Sequence, residues 1–237
     1  ADRAREDGVA ELVTSDARAA IDGADLVVYA TPVSVTIDLL REHAPLLATV
    51  AAVTDVGSVK IAVMAAAGDA GITDRFVGGH PMCGREQSGY SSAVADLFTG
   101  ATVWLVPGSR AAPLDSVSEL WQSLGGIPRV TDAAAHDRLV AWTSHLPQLL
   151  ASVLGGALGA GDVARDALGP GGRDVARLAR SPASLWTDIL LQNRSNLEGP
   201  VAASLDRMTA FAEALQRGDR AALRQLLEEA NAWANET

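Results

Sequence analysis

The chain has 237 residues, of which 48% are hydrophobic and 20% are charged, and its formal net charge at pH 7 is −10. The length allows one large domain or two small ones, and the composition is that of a globular protein with buried cores. Nucleic-acid binding is disfavoured because a phosphate backbone requires a basic protein face, whereas a local cationic pocket for a small anion is compatible with the charge.

Cysteine content and hydropathy bear on the cellular compartment. Cys83 is the single cysteine, which excludes an internal disulfide and is typical of the reducing cytoplasm. With no base beside it in the sequence, we expect it to be a free buried thiol. No apolar run approaches the ~20 residues that cross a bilayer. We therefore expect a cytoplasmic protein that does not bind membranes.

The first part of the chain alternates between short apolar strands and helices. The pattern predicts strands at residues 25–30, 50–55, 76–79, 101–106 and 127–130, and helices at 34–49, 59–70 and 113–124. The first two strands are continuous apolar runs, which is typical of parallel strands covered on both faces. Strands that alternate with helices across short loops predict a parallel α/β sheet.

From residue 133 onward the sequence is rich in Ala and Leu at helical spacing and contains no strand pattern. We therefore predict an α/β domain over residues 1–131 and an all-helical domain over residues 132–237. Alanine-rich helices need other helices to cover them, so a homodimer through this second domain is expected.

Polar or glycine-rich segments follow the first three predicted strands: Thr31-Pro32, residues 55–60 with Ser58, and His80 after Gly78-Gly79. Open α/β sheets bind ligands at this carboxyl edge, so the three segments predict one binding crevice. The paired glycines and Pro81 favour a functional role for His80 over a structural one. Ser58 by itself fits an ordinary helix N-cap equally well.

Two segments of the helical part are candidates for a polar pocket. Pro147 should kink its helix, either as a purely structural feature or in a pocket wall that Ser144 and Gln148 share at i,i+4 spacing. Arg177 lies in an apolar segment, where a guanidinium suits a carboxylate ligand. Periodicity does not separate it from Arg173 and Arg180. We expect no metal site, because paired-cysteine spacing and the HExxH motif are absent and the histidines are scattered.

Four motifs, in order, resemble the prephenate/arogenate dehydrogenase family over residues 25 to about 196: DVGSVK at 55–60, GGHPMCGREQSG at 78–89, His136-Asp137 with SHLP at 144–147, and residues 172–189. The resemblance implies a parallel Rossmann-type sheet followed by an all-helical dimerisation domain. It also implies oxidative decarboxylation of prephenate to 4-hydroxyphenylpyruvate in tyrosine biosynthesis, with hydride transfer to NAD or NADP. Arogenate dehydrogenase, which gives tyrosine directly, is the alternative.

The resemblance assigns roles to individual residues. His80 accepts a hydrogen bond from the ring hydroxyl of the substrate while hydride leaves the same carbon, and Ser58 binds near that hydroxyl and the nicotinamide. Arg177 binds a carboxylate of the anionic substrate. Other implied substrate-binding residues are Ser144, His145, Gln148, Glu86 and Trp186, and the implied cofactor-binding residues are Thr31, Pro32, Asp55, Gly57 and Ser58.

Departures from the family pattern leave alternatives open. Gln148 stands where many relatives have a second histidine, which bears on the choice between prephenate and arogenate. The family begins with a strand, a GxGxxG turn and a second strand, and since the chain begins with ADRAREDGVAELV we expect an N-terminally incomplete piece that lacks the first strands. Another two-domain dehydrogenase, for a hydroxy acid or an imine, would need a lysine in the helical part, but Lys60 is the single lysine. A non-enzymatic, truncated helical dimer is the remaining alternative.

Overall fold

The computed structural model describes residues 2–84 and 89–236. Five strands form one sheet in the order β1-β2-β3-β4-β5. The strands are β1 (Leu26–Tyr29), β2 (Ala52–Asp55), β3 (Phe76–Pro81), β4 (Thr102–Pro107) and β5 (Ile127–Val130). The helices of this part are α1 (Asp2–Glu6), α2 (Ala17–Ile21), α3 (Val33–Leu47), α4 (Ile61–Asp69) and α5 (Ala112–Ser123).

The sheet is mostly parallel, as the sequence predicts, with one exception. Strands β1, β2 and β3 run parallel, and so do β4 and β5, but β3 and β4 pair antiparallel from Val77↔Pro107 to Pro81↔Val103. A parallel neighbour requires a crossover connection, usually a helix. In its described part, the connection from β3 to β4 holds a single short helix, Tyr90–Ser92, so β4 returns beside β3 in the opposite direction.

Apolar side chains fill both faces of the sheet. One core lies under α3 and α4 and includes Leu40, Val63 and Phe76; the other lies under α5 and includes Leu105 and Trp121. The prediction that β1 is covered on both faces was wrong. It has a neighbouring strand on one side only, and Val28 is 42% exposed.

The rest of the chain is helical. Its helices are α6 (Ala133–Val140), α7 (Leu146–Ala160), α8 (Pro170–Ala176), α9 (Ala183–Gln192), α10 (Arg194–Arg217) and α11 (Arg220–Ala234). The boundary that the sequence predicts after residue 131 falls in the short link between β5 and α6. Within the described ranges, no helix is both long and apolar enough to span a membrane.

Candidate active site at the carboxyl edge of the sheet

The ends of β2 and β3 are joined by a buried ion pair. The Asp55 carboxylate accepts hydrogen bonds from Gly79 N (3.0 Å), Gly57 N (2.8 Å) and Lys60 Nζ (2.5 Å), and Lys60 Nζ also donates to Gly79 O (2.7 Å). A Cβ atom on Gly79 would collide with the main-chain oxygen of Asp55, so a glycine is required there. These contacts hold the strands together beyond their last ladder pair, Thr54↔Val77.

Both charged groups of this pair are fully buried. Burial lowers the pKa of Lys60, and the carboxylates of Asp55 and Asp137 offset part of that effect. Because both Asp55 oxygens are engaged and its side chain is buried, the carboxylate shapes the sheet edge. A cofactor contact of Asp55 stays a prediction. Gly57 is buried in the same loop, and Ser58 is half-buried beside it.

His80 lies within β3, one residue before the strand ends, and not after the strand as predicted. The antiparallel pairing with β4 extends β3 to Pro81 and places His80 opposite Trp104. Its Nδ1 lies 2.9 Å from Nε2 of His136, and His136 Nδ1 lies 2.7 Å from the Asp137 carboxylate. The strand therefore fixes the backbone of His80, and α6 supplies the partners that fix its ring.

The helical part caps both helices that begin at this edge. Asp137 accepts hydrogen bonds from Lys60 N (2.7 Å) and Ile61 N (2.9 Å) at the start of α4, and Asp188 accepts one from Ser34 N (2.9 Å) at the start of α3. Carboxylates at helix N-termini satisfy free N–H groups and interact favourably with the helix dipole. The N-cap role that Ser58 fits in the sequence is therefore filled by Asp137, and the helical domain is bound directly to the sheet edge.

The segment that was expected to kink at Pro147 contains a turn of π-helix at Ala141–His145, between α6 and α7. Pro147 lies in the first turn of α7, directly after the π-turn. The π-turn inserts a wider turn before Gln148, so the i,i+4 relation between Ser144 and Gln148 is not that of a regular helix. Ser144 is half-buried, whereas Gln148 is buried.

His145 and Gln148 each present one buried polar atom without a hydrogen-bond partner among the described residues: His145 Nε2 and Gln148 Oε1. Asn193 Nδ2 donates to the Asp137 carbonyl oxygen (2.9 Å) and lies 3.1 Å from His145 Nδ1. His145 Nδ1 is therefore the acceptor, and Nε2 carries the proton. Gln148 Nε2 donates to Leu178 O (2.9 Å), which leaves Oε1 to accept. A bound ligand with complementary groups would satisfy both atoms.

Burial keeps both site histidines neutral. It holds the pKa of His80 well below 6.5, with further lowering by His136, Lys60 and His145. It lowers the pKa of His145 to about 4, against a partly compensating effect of Asp137. Neutral imidazoles at neutral pH can accept a proton or donate a hydrogen bond without carrying charge.

The lowered pKa of His145 makes the free energy of unfolding depend on pH. Because its folded pKa is lowered, the unfolded chain binds a proton more readily, so the stabilisation is complete above the unfolded value of ~6.5 and is lost as pH falls towards about 4. At ~1.4 kcal/mol per pKa unit, the loss amounts to about 3 kcal/mol. We expect urea unfolding of the wild type to show this loss between neutral pH and about pH 4, and His145→Gln to show a correspondingly shallower dependence. Equal pH dependences for the wild type and His145→Gln would contradict the assignment of this loss to His145.

The remaining candidate residues are placed as follows. Trp186 is half-buried, with its ring edge-on to His145 at 5.9 Å between centroids. Thr31 and Pro32 precede α3, and Thr31 Oγ1 lies 2.8 Å from Thr36 Oγ1. Glu86 lies outside the described residues. Cys83 is a free thiol but half-buried, and burial raises its pKa, which disfavours the reactive thiolate.

Arg177 is exposed at the end of α8, as are Arg173 within that helix and Arg180 beyond it. Helical periodicity, which did not separate these arginines in the sequence, does not run through all three. α8 ends at Ala176, and Leu178–Arg180 is a 3₁₀ turn. Their relative directions therefore do not follow α-helical spacing.

A dinucleotide is tested against this edge by its two ends. For the nicotinamide end, this edge offers a half-buried hydroxyl at Ser58 and a neutral imidazole at His80. A pyrophosphate site usually uses a free helix N-terminus. The N-termini of α3 and α4 are already occupied by Asp188 and Asp137. The described residues therefore suit the reacting end of the cofactor, and neither of these two helices offers its phosphates a site.

A mostly parallel sheet with neutral histidines at its carboxyl edge, covered there by a helical domain, is typical of a two-domain dehydrogenase of the Rossmann type. Two sequence models confirm this class: "Prephenate dehydrogenase, nucleotide-binding domain" matches residues 1–129, and "Prephenate dehydrogenase, dimerization domain" matches residues 132–229. The chain belongs to the prephenate dehydrogenase family.

Individual relatives agree with this assignment. The chain is 32% identical over 200 residues to the cyclohexadienyl dehydrogenase of Zymomonas mobilis, covering 81% of this chain and 68% of that protein. It is 34% identical over 179 residues to the prephenate dehydrogenase of Lactococcus lactis, covering 72% of this chain and 49% of that protein. The solved prephenate dehydrogenase from Aquifex aeolicus, in complex with hydroxyphenyl propionate and NAD+, is similar with a TM-score of 0.86 at 27% identity, covering 98% of this chain and 84% of that one.

These similarities confirm the family, the fold class and a nucleotide-binding domain, all of which agree with the sequence-based prediction. The chain spans about half the length of the Lactococcus relative, as its 49% coverage shows.

The sequence motifs did not reveal the partners of the site residues. Asp137 and Asp188 act as caps for helices far from them in the sequence, and Asn193 orients His145. The single signal for them in the sequence was the adjacent polar pair His136-Asp137 inside a helix.

Proposed function

We propose that the protein oxidatively decarboxylates prephenate to 4-hydroxyphenylpyruvate, with hydride transfer to NAD or NADP. The observation that carries the proposal is the environment of His80, a buried, neutral histidine that is held by His136 at the carboxyl edge of the sheet. In the proposed arrangement the substrate hydroxyl reaches His80 between the sheet and the helical domain.

The reaction removes hydride from C4 of the ring, which also carries the hydroxyl, and carbon dioxide from C1. The electron pair of the C1–carboxylate bond enters the ring and makes it aromatic, which supplies most of the driving force. The bound cofactor would supply the hydride acceptor. This chain must orient C4 and polarise the hydroxyl, and the neutral ring of His80 does the second by accepting the hydroxyl proton as positive charge develops at C4. Once the ring is aromatic, His80 returns the proton to the phenolate oxygen, which becomes the hydroxyl of the product.

The helical domain provides the groups for the rest of the substrate. The unpartnered His145 Nε2–H suits a carboxylate or keto oxygen, and Arg177 supplies a cation for a carboxylate at the exposed end of α8. Trp186 and Ser144 complete the proposed pocket wall, Ser58 is proposed to contact the hydroxyl and the nicotinamide, and Thr31, Pro32 and Gly57 are proposed to line the cofactor crevice.

One observation favours arogenate as a second candidate substrate. Gln148 Nε2 is occupied by Leu178 O, so Oε1 is the atom that remains for a ligand, and it can only accept. Arogenate carries an ammonium group, a donor, where prephenate carries a keto oxygen, an acceptor. An acceptor at this place suits the ammonium group.

The experiment that tests these proposals measures turnover of prephenate and of arogenate, each with NAD and with NADP, together with cofactor binding. Formation of 4-hydroxyphenylpyruvate or of tyrosine identifies the substrate. Cofactor binding without turnover of either substrate would contradict the proposed reaction, and the absence of cofactor binding would favour a non-enzymatic helical dimer.

Arg177→Ala is expected to raise KM far more than it lowers kcat, because a carboxylate contact is made equally in the ground state and the transition state. Losing a charge-assisted hydrogen bond typically costs ~1.5–3 kcal/mol, or roughly 10- to 150-fold in affinity. Steady-state kinetics check the result, with Arg173→Ala and Arg180→Ala as matched controls. If a control proves as damaging and Arg177→Ala is mild, the wrong arginine was chosen.

The helical part is proposed to form a homodimer, in line with the dimerization domain that matches it. Apolar side chains on α10 and α11 are exposed to more than half of their area: Leu205, Met208, Leu215, Leu227 and Trp233. Burying such a surface against a second copy would stabilise the dimer. We expect a dimer by sedimentation at micromolar concentration, weakened by Leu227→Glu and unchanged by Val9→Glu, which replaces an exposed apolar residue in the N-terminal part. A clean wild-type monomer would count against the proposed dimer.

A cytoplasmic location is also proposed, from the single cysteine.

A further inference from the structure

Three buried side chains form a hydrogen-bonded series that ends at His80. Asp137, His136 and His80 are each at most 7% exposed. The Asp137 carboxylate lies 2.7 Å from His136 Nδ1, and His136 Nε2 lies 2.9 Å from His80 Nδ1. The two imidazole rings meet edge to face, with 5.1 Å between centroids and 72° between planes. Among the described residues, each ring nitrogen in the series therefore has a defined partner, except Nε2 of His80.

The direction of the hydrogen bonds is set at Asp137. Its carboxylate receives the N–H groups of Lys60 and Ile61 from the first turn of α4, and the buried Lys60 ammonium adds positive charge nearby. Amide donors and a helix N-terminus stabilise the ionised carboxylate, which can only accept. Its third partner, Nδ1 of His136, must therefore be the donor.

A neutral His136 that carries its proton on Nδ1 has a lone pair on Nε2. If that lone pair accepts, the 2.9 Å contact places a proton on Nδ1 of His80. The remaining nitrogen of His80, Nε2, then carries the lone pair.

We propose that Asp137 and His136 are positioning residues that hold His80 in the tautomer with an unprotonated Nε2, ready to accept the hydroxyl proton of the substrate. The inference rests on the proposed function, since it concerns how His80 is prepared for its role. The opposite tautomer would present an N–H donor to that hydroxyl and could not take its proton. After proton transfer, the imidazolium keeps its hydrogen bond to His136, and the ionised Asp137 lies two hydrogen bonds away.

The test reads the tautomer directly, in the free protein and without turnover. ¹⁵N NMR of the ring nitrogens distinguishes protonated from unprotonated positions, and signals are assigned with single-histidine substitutions. We expect wild-type His80 to be protonated on Nδ1 and bare on Nε2. In His136→Phe, which removes the acceptor for Nδ1–H, we expect both tautomers of His80. Asp137→Asn keeps an acceptor for the α4 cap and should move the His136 proton towards Nε2.

His43→Phe is the matched control, because His43 bonds to the Tyr29 hydroxyl in another part of the sheet domain, and we expect it to leave the tautomer of His80 unchanged. Kinetics add a second readout: kcat of His136→Phe should fall ~10²-fold with little change in KM. A wild-type His80 protonated on Nε2, or a His80 tautomer that survives His136→Phe unchanged, would overturn the inference. If the tautomer is as expected but His80→Asn retains normal kcat, the proposed function fails and the positioning series stands.

Discussion

His80→Asn is expected to lower kcat by ~10²–10⁴ and to leave KM nearly unchanged, because a positioned acid–base group contributes about that factor to the chemical step. Asparagine keeps a polar side chain in β3 but has no ring nitrogen that can take the hydroxyl proton. Steady-state kinetics at neutral pH give both constants.

The matched control is His43→Asn, which removes a histidine whose ring contacts Tyr29 and not the site. Circular dichroism and urea unfolding establish that both variants are folded. A His80→Asn protein with near-normal kcat would remove His80 from the mechanism, and with it the observation on which the proposed function depends.

Lys60→Met is expected to reduce the free energy of unfolding by about 3–5 kcal/mol, the range for removing one partner of a buried ion pair. Methionine retains most of the volume of lysine, but Asp55 would be left as a buried charge and Gly79 O would lose its donor. Since domains are typically stable by ~5–15 kcal/mol, much of the folded state is at risk. Urea unfolding at neutral pH measures the loss.

The double variant Lys60→Met, Asp55→Asn separates charge from packing. It removes the uncompensated charge, so we expect it to be more stable than Lys60→Met alone, and the double-mutant cycle gives the coupling between the two residues. A loss below about 1 kcal/mol in Lys60→Met would contradict the role assigned to the pair.

Local patterns predicted where the strands lie, because most of them are short apolar runs between turn residues. The sequence predicts β5 at residues 127–130, and Ile127–Val130 is the observed strand. The direction of β4 was not predictable in this way, because direction depends on what the connection from β3 contains. The exposure of Val28 also depends on the position of β1 in the sheet, which periodicity does not encode.

The candidate site was likewise predictable only in part from local patterns in the sequence. The place of His80 at the carboxyl edge follows from the spacing of strands and glycines. Its partners do not, since His136 is 56 residues away, and the contact between Ser34 and Asp188 spans 154 residues. Such contacts arise only when α6 and α9 pack on the sheet.

The most direct test of the central claim follows the hydrogen atom on ring C4. Prephenate carrying deuterium at that position is given to the protein with its cofactor, and the label in the reduced nicotinamide, the carbon dioxide and the aromatic product are measured together. We predict equal amounts of all three, with the deuterium carried by the nicotinamide. Deuterium released to water, or carbon dioxide and an aromatic product formed without reduced nicotinamide, would contradict hydride transfer at this site.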